Sequence, residues 1–257
     1  MPAPADDDRP GFAVTRGVRG PSYTLITPAN HYISRLPQLS DTTVVKLVTP
    51  RLAPARLGQY LLELAPGGGG GVPVPEPLEH FLYGLAGGAV VRSDGVDHVL
   101  GAGGFAYLPA GRTFLLDGGT EGPAQLLWIK RRYERWPGIE APAERFGHRD
   151  EVPVGDVGVP GLRRRELLPA ADPAFDFTMS LLAFDPGVAL DRVEIHDEEH
   201  GLYMTAGEGV YVLDGAHHTV RRGDFIYMAP YCPQGFTATG REPAEYLLYK
   251  DTWRDGF

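Results

Sequence analysis

The chain is short of the residues that would tie it to several functional classes. One cysteine, Cys232, among 257 residues excludes an intrachain disulfide and the disulfide-stapled scaffolds of small secreted proteins. Basic residues are scarce: 24 Lys and Arg against 33 Asp and Glu give a formal net charge of -9, the wrong balance for a nucleic-acid partner. No apolar run reaches the roughly eighteen residues of a membrane-spanning helix. The N-terminus, Met1-Pro2-Ala3-Pro4-Ala5-Asp6-Asp7-Asp8, is acidic and proline-rich, without the basic-then-apolar order of a signal peptide. These absences point to a cytoplasmic protein with no membrane or nucleic-acid partner. Few stretches read as helix.

What is present reads as a β protein. Hydrophobic residues make up 43% of the chain, ample for a core, and 34 glycines and 24 prolines break it into short segments. Short strands between tight turns imply an all-β sandwich or barrel, in one large or two modest domains. Residues 1–20 read as a flexible N-terminal segment. Strands are expected at Tyr23-Thr-Leu-Ile-Thr, Thr43-Val-Val-Lys-Leu-Val and Tyr60-Leu-Leu-Glu-Leu. Pro66 and five glycines, Gly67 to Gly71, are expected to close the last strand as a flexible loop. Neither a helix start nor a Lys-Ser/Thr pair follows that run, so it is not a phosphate cradle.

The chain repeats itself. Subtracting 120 from second-half numbers aligns the halves without a gap. His200 falls on His80, Leu202 on Leu82, Tyr203 on Tyr83, Ala206 on Ala86 and Gly207 on Gly87. Asp214-Gly215 falls on Asp94-Gly95, His218 on His98, and Gly223, Phe225 and Tyr227 on Gly103, Phe105 and Tyr107. Pro243-Ala244, Leu247 and Lys250 fall on Pro123-Ala124, Leu127 and Lys130. Identities in one fixed register mark an internal duplication of a β unit. Residues 136–160, with Pro137, Pro142, Pro153 and Pro160, read as the linker between a first unit at 21–135 and a second at 161–257.

One stretch of the second half stands apart: Glu194-Ile195-His196-Asp197-Glu198-Glu199-His200. Residues two apart on a strand share a face, so Glu194 and His196 project together, and His200 returns to that face directly or across a short turn. Downstream, Gly223-Asp224-Phe225-Ile226-Tyr227-Met228-Ala229-Pro230 reads as a turn and an apolar strand. Gln234, just beyond, could add a neutral oxygen ligand. Such a set suits Mn, Fe, Co, Ni or Zn and leaves the open positions that a catalytic metal needs. Taken alone, the stretch also looks like an acidic surface strand. The repeat supplies a control. The first-half counterparts of Glu194, His196, His200 and Gln234 are Val74, Glu76, His80 and Phe114. Scaffold residues recur and ligands do not, as expected of a site placed on a shared scaffold. A metal site is therefore expected in the second unit only, and His80 reads as a scaffold or pocket histidine.

These features resemble the cupin superfamily in its duplicated, bicupin form, which implies two tandem double-stranded β-helix (jelly-roll) barrels. More narrowly, several motifs resemble the (S)-ureidoglycine aminohydrolase family. They are Glu194-x-His196-x-x-x-His200-Gly-Leu, Gly207-x-Gly209-Val-Tyr211, Gly223-Asp224, Met228-Ala229-Pro230, Pro233-Gln234 and Tyr246-Leu-Leu-Tyr-Lys250-Asp251. The close match runs from about 185 to 257, and the first unit matches more loosely. The resemblance implies a Mn(II) enzyme of purine (allantoin and allantoate) degradation. It would hydrolyse (S)-ureidoglycine to (S)-ureidoglycolate and ammonia. Carried over by position, the metal ligands are Glu194, His196, His200 and Gln234, and the substrate-binding residues are Tyr211, Tyr246 and Lys250. Fe(II), Co(II), Ni(II) or Zn(II) are the other metals that suit the set. The expected partner is a small ureido molecule, and a homo-oligomer is expected.

Two other readings stay open: an Fe(II) or Ni(II) dioxygenase, and a non-enzymatic bicupin that binds a small molecule. The catalytic acid and base are not assigned. Lys250 has Lys130 as its repeat partner, so it could instead belong to the scaffold. Glu198 and Glu199 read as outward-facing or as supports of the ligands, and Glu140 and Glu144 as solvated linker residues. Cys232 reads as a small buried hydrophobe, and His217 and His218 as exposed.

Overall fold

A computed structural model describes residues 15–72, 77–190, 192–252 and 254. Val74 and Glu76, and residues 1–14 of the N-terminal segment, lie outside the described residues. Among those described, helical structure is confined to 3-10 turns at Pro28–Asn30 and Arg149–Glu151. None of it is long and apolar enough to cross a membrane.

The chain forms two barrels on one strand plan. In the first, a sheet runs in the order Arg145–His148, Gly104–Leu108, Leu78–Ala86, Ala124–Arg132, Gly58–Val72, Phe114–Asp117, Ala89–Ser93, Val96–Leu100. In the second, an eight-stranded sheet contains Phe225–Met228, His200–Ala206, Ala244–Asp251, Phe177–Phe184 and Leu162–Leu168 in neighbouring order. A three-stranded sheet of Ala216–Arg221, Glu208–Leu213 and Gln234–Ala238 packs against it. Register repeats with the offset. Tyr83 pairs with Leu127 and Phe105, and Tyr203 pairs with Leu247 and Phe225.

Alternation along the strands sorts the apolar residues into three cores. Leu82, Leu126 and Trp128 turn into the first barrel with Leu62, Leu64 and Leu116. Phe184, Leu202, Leu213, Phe236 and Tyr246 fill the second. The residues between them point the other way. Phe81, Tyr83, Leu127 and Ile129 meet Phe177, Met179, Tyr203, Phe225 and Leu247 in a core shared by both barrels. Each such side chain contributes about 1.5–3 kcal/mol on burial, so the shared core welds the barrels together.

Two segments cross over. Tyr23–Ile26 pairs with Phe225–Met228 of the second barrel, and Arg145–His148, within the predicted linker, pairs with Gly104–Leu108 of the first. The described end of the N-terminal segment is also held. Val18–Arg19 pairs with Tyr23–Ile26, and Arg16 forks onto Asp224 with Nη1–Oδ2 at 2.5 Å and Nη2–Oδ1 at 2.9 Å.

The glycine run is not the flexible loop expected from sequence. It lies inside the long strand Gly58–Val72, with Gly69, Gly70 and Gly71 paired to Asp117, Leu116 and Leu115. The reason is steric. Gly69 and Gly70 have φ of 124° and 150°, and a Cβ there would stand 2.1 Å from the Leu116 carbonyl oxygen and 2.3 Å from that of Gln38. Glycine is required because the strand is clamped between two neighbours.

The shared core also carries charge, arranged by the repeat. Tyr107 donates to Glu79 at 2.6 Å, and the corresponding Tyr227 donates to Glu199 at 3.1 Å. Arg56 and Arg131 of the first barrel correspond to Asp176 and Asp251 of the second. Arg131 Nη1 lies 2.5 Å from Asp251 Oδ1, Arg131 Nε 3.5 Å from Asp176 Oδ2, and Arg56 Nη1 3.4 Å from Asp251 Oδ2.

Candidate metal centre

In the first barrel the strand Gly58–Val72 runs unbroken, whereas in the second its counterpart ends at Phe184. The chain beyond it is tied to the opposite sheet by single bridges, Ala189 with Thr237 and Glu194 with Gln234. The second bridge is closed by Glu194 N–H to the Gln234 carbonyl at 2.8 Å and Gln234 N–H to the Glu194 carbonyl at 3.0 Å. It places those two side chains side by side. Tyr231 N–H donates to the His196 carbonyl at 2.7 Å and fixes the next ligand, while His200 opens the strand His200–Ala206.

The other three expected ligands gather around His196. His196 Nε2 lies 3.2 Å from His200 Nε2, 3.1 Å from Gln234 Nε2 and 4.0 Å from Glu194 Oε2. Rotating the Gln234 amide by half a turn presents Oε1 in place of Nε2. Ligand atoms at about 2.1 Å from one ion and at right angles are about 3 Å apart, so the imidazole and amide spacings fit a shared cation. Glu194 stands furthest out, with its side chain 48% exposed. Among the described residues, no three His, Cys, Asp or Glu groups close on a single point in this conformation. Burial pushes the His200 imidazole well below the ordinary histidine value, and His196 and Lys250 push it the same way. It is therefore a neutral lone-pair donor, and its Nδ1 is buried without a hydrogen-bond partner.

The set opens into a cavity of about 620 Å³ in the second barrel. Tyr211 and Tyr246, each 2% exposed, form part of its wall, with ring centroids 6.5 Å apart. Burial raises both phenols, and the two share a hydrogen bond. Lys250 also lines the cavity and sits directly across the strand pair from His200. Its Nζ is 3.1 Å from Glu198 Oε1, and Glu198 Oε2 lies 2.7 Å from His196 Nδ1, close but outside hydrogen-bond geometry. Burial acts to raise the Glu198 carboxyl, but Lys250 and then His196 outweigh it and hold the group below its usual range.

Glu198 is thus a cavity residue between a ligand and Lys250, the second of the two places that the sequence reading gave it. The signal for that place is parity, since 194, 196, 198 and 200 share one. Glu199 turns the other way, is 1% exposed and belongs to the shared core, so it is neither outward-facing nor a support of the ligands. Glu144 accepts from Ser93 Oγ at 2.6 Å and pairs with Arg112 at 3.5 Å, on the first barrel. Cys232 is buried. His217 is exposed, and His218 is half-buried against Tyr23, its Nε2 2.8 Å from the phenol oxygen.

The same place in the first barrel is plugged. Phe114 stands where Gln234 does, its ring edge-on to His80 at 5.3 Å. Trp128 stands where Leu248 does and donates from Nε1 to His80 Nδ1 at 3.0 Å. Burial drives the His80 imidazole down to about 3. Lys130, the counterpart of Lys250, lies over Trp128 at 3.7 Å and Tyr60 at 4.6 Å.

Known proteins resemble this chain in sequence and fold. The Cupin domain family matches residues 60–130 and 180–249. The (S)-ureidoglycine aminohydrolase of Arabidopsis thaliana is 32% identical over 249 residues, spanning 96% of this chain and 81% of its own. The crystal structure of protein Ylba from E. coli superposes with a TM-score of 0.84 at 29% identity, over 95% of this chain and 96% of that one. Oxalate decarboxylase from Bacillus subtilis, a protein with Mn(II) centres, shares the fold with a TM-score of 0.66 at 14% identity, over 97% and 87%. This chain belongs to the (S)-ureidoglycine aminohydrolase family of the cupins, and is a hydrolase acting on a carbon–nitrogen bond.

Proposed function

We propose that the second barrel holds Mn(II) through Glu194, His196, His200 and Gln234, and that the chain hydrolyses (S)-ureidoglycine to (S)-ureidoglycolate and ammonia. The observation that carries this is the gathering of His200, Gln234 and Glu194 around His196 on the wall of a cavity, at a place that Phe114 and Trp128 fill in the first barrel. The bound metal would supply a Lewis acid that polarises substrate or acidifies water. The reaction breaks the bond from carbon to the amine and forms one from the same carbon to a water oxygen. The water's second proton leaves with the amine as ammonia.

The chain's own residues orient and enclose. Lys250 provides a compact positive charge beside the ligands, suited to the substrate carboxylate. Glu198 holds that ammonium in place and neutralises part of its charge, so an incoming carboxylate meets a positioned donor. Tyr211 and Tyr246 wall the cavity with rings and keep a hydroxyl pair at its edge. A cavity with charged and polar groups on one part of its wall fits a small ureido molecule and selects one enantiomer by fixing several groups at once.

The test is ammonia release and enantiomerically pure ureidoglycolate from freshly made (S)-ureidoglycine. It uses metal-stripped and Mn-loaded protein, with Glu194→Ala beside them. Activity that needs Mn(II) and falls at least about a hundredfold in the variant is expected. Loaded protein that does not outrun spontaneous decay would end the proposal.

A further inference from the structure

Alternate residues of Phe177–Phe184 line the cavity, beginning with Thr178 and Ser180. They are 5% and 4% exposed, and theirs are the polar side chains that this strand gives to the cavity wall. A hydroxyl on a cavity wall can both donate to and accept from what enters the cavity. Their position is set by register. Thr178 lies across from Lys250, which lies across from His200, in one row over three strands, and Ser180 begins the next row beside Leu248. Strands stand about 4.8 Å apart and rise about 3.3 Å per residue, so the Thr178 position lies about 10 Å and the Ser180 position about 12 Å from that of the ligand histidine, with Lys250 between.

The repeat shows that this place is cleared. The first-barrel counterparts of Thr178 and Ser180 are Gly58 and Tyr60. The Tyr60 ring packs against Trp128 at 5.8 Å and covers Lys130. In the second barrel a small serine stands where that ring would be, and the space opens into the cavity.

We infer that Thr178 and Ser180 form the subsite for the uncharged ureido group, and are the residues that set specificity for it. This rests on the ureidoglycine reading. The groups near the metal centre are charged and suit the carboxylate and amine ends of a substrate. A ureido group is neutral, with a carbonyl acceptor and N–H donors, and a hydroxyl can donate to the first while accepting from the second. A site built to hydrogen-bond a group discriminates strongly against ligands that lack it. Thr178 and Ser180 are positioning residues, since they touch no reacting bond.

Calorimetric titration of Mn-loaded protein with (S)-ureidoglycolate and with glycolate, which differs only in lacking the ureido group, tests this. Ser180→Ala with Thr178→Val removes both hydroxyls at nearly unchanged volume, and metal content reports that the site is intact. The double variant should bind ureidoglycolate at least about tenfold more weakly and glycolate unchanged, with KM for ureidoglycine rising more than kcat falls. Wild-type protein that prefers ureidoglycolate, beside a variant that keeps the preference or loses both ligands alike, overturns this inference and leaves the reaction standing. Wild-type protein with no such preference and no turnover overturns the reaction, and the subsite with it.

Discussion

Glu79→Gln should change how stability depends on pH. Glu79 is fully buried in the shared core. Burial raises its carboxyl well above the ordinary 4.5, and a hydrogen bond and charge from Asp176 add to this, against Tyr107 and Arg131. Glu79 Oε1 and Asp176 Oδ1 are both buried without another partner, as two carboxyl oxygens sharing one proton would be. The folded chain therefore keeps a proton that the unfolded chain releases above pH 4.5. A raised folded value means the stabilisation is complete below the unfolded value and is lost as pH rises toward the folded one. One extra proton in the folded state gives a slope of about 1.4 kcal/mol per pH unit. The glutamine amide is neutral at every pH, can donate to Asp176 and can accept from Tyr107. As pH rises above 4.5 the variant should gain stability relative to wild type, by up to about 1.4 kcal/mol per pH unit, with no relative gain below pH 4. Urea unfolding of both proteins at pH 4, 5.5 and 7 measures this. Parallel stability curves across the whole range would refute the shared proton.

Trp128→Ala should cost about 3–5 kcal/mol in urea unfolding, since it empties the first barrel's core and removes the partner of both His80 and Lys130. Mn content of the second barrel should not change. Gly207→Ala should cost about 2 kcal/mol or more, because φ is 66° and the new Cβ would meet the Pro243 carbonyl oxygen at 2.5 Å. Gly95→Ala is the control: φ is 77° with nothing within 4 Å, so thermal unfolding should report only the backbone term of about 1 kcal/mol.

The duplication was legible because turn glycines and cross-strand partners sit at fixed offsets, as in Tyr83 and Tyr203. The candidate ligand set stood out for the complementary reason, that it breaks the offset. Strand exchange was not. Tyr23–Ile26 has the pattern of any half-buried strand, and nothing local says that its edge is Phe225–Met228 and not its own barrel. The five glycines misled because composition alone cannot separate a loose loop from a strand squeezed between neighbours. Glu198 was left between an outward-facing and a supporting place because sequence does not show which neighbour its carboxylate meets, while Thr178 and Ser180 carry no motif. They stand out only when register sets them beside Lys250.

The paired charges of the shared core have a consequence for recognition. In a symmetric dimer, a side chain that meets its equivalent position across the axis meets its own kind. Two copies of the first barrel would bring Arg131 against Arg131 in a buried setting. Two copies of the second would bring Asp251 against Asp251 beside Asp176 and Glu199. The mixed pair alone closes Arg131 onto Asp251. Apolar residues at matching positions, such as Tyr83 and Tyr203, cannot tell one barrel from the other, but these charges can. Duplication thus let the two halves take opposite signs at positions where identical subunits cannot. The outcome is an interface that distinguishes self from other, with the other supplied in the same chain.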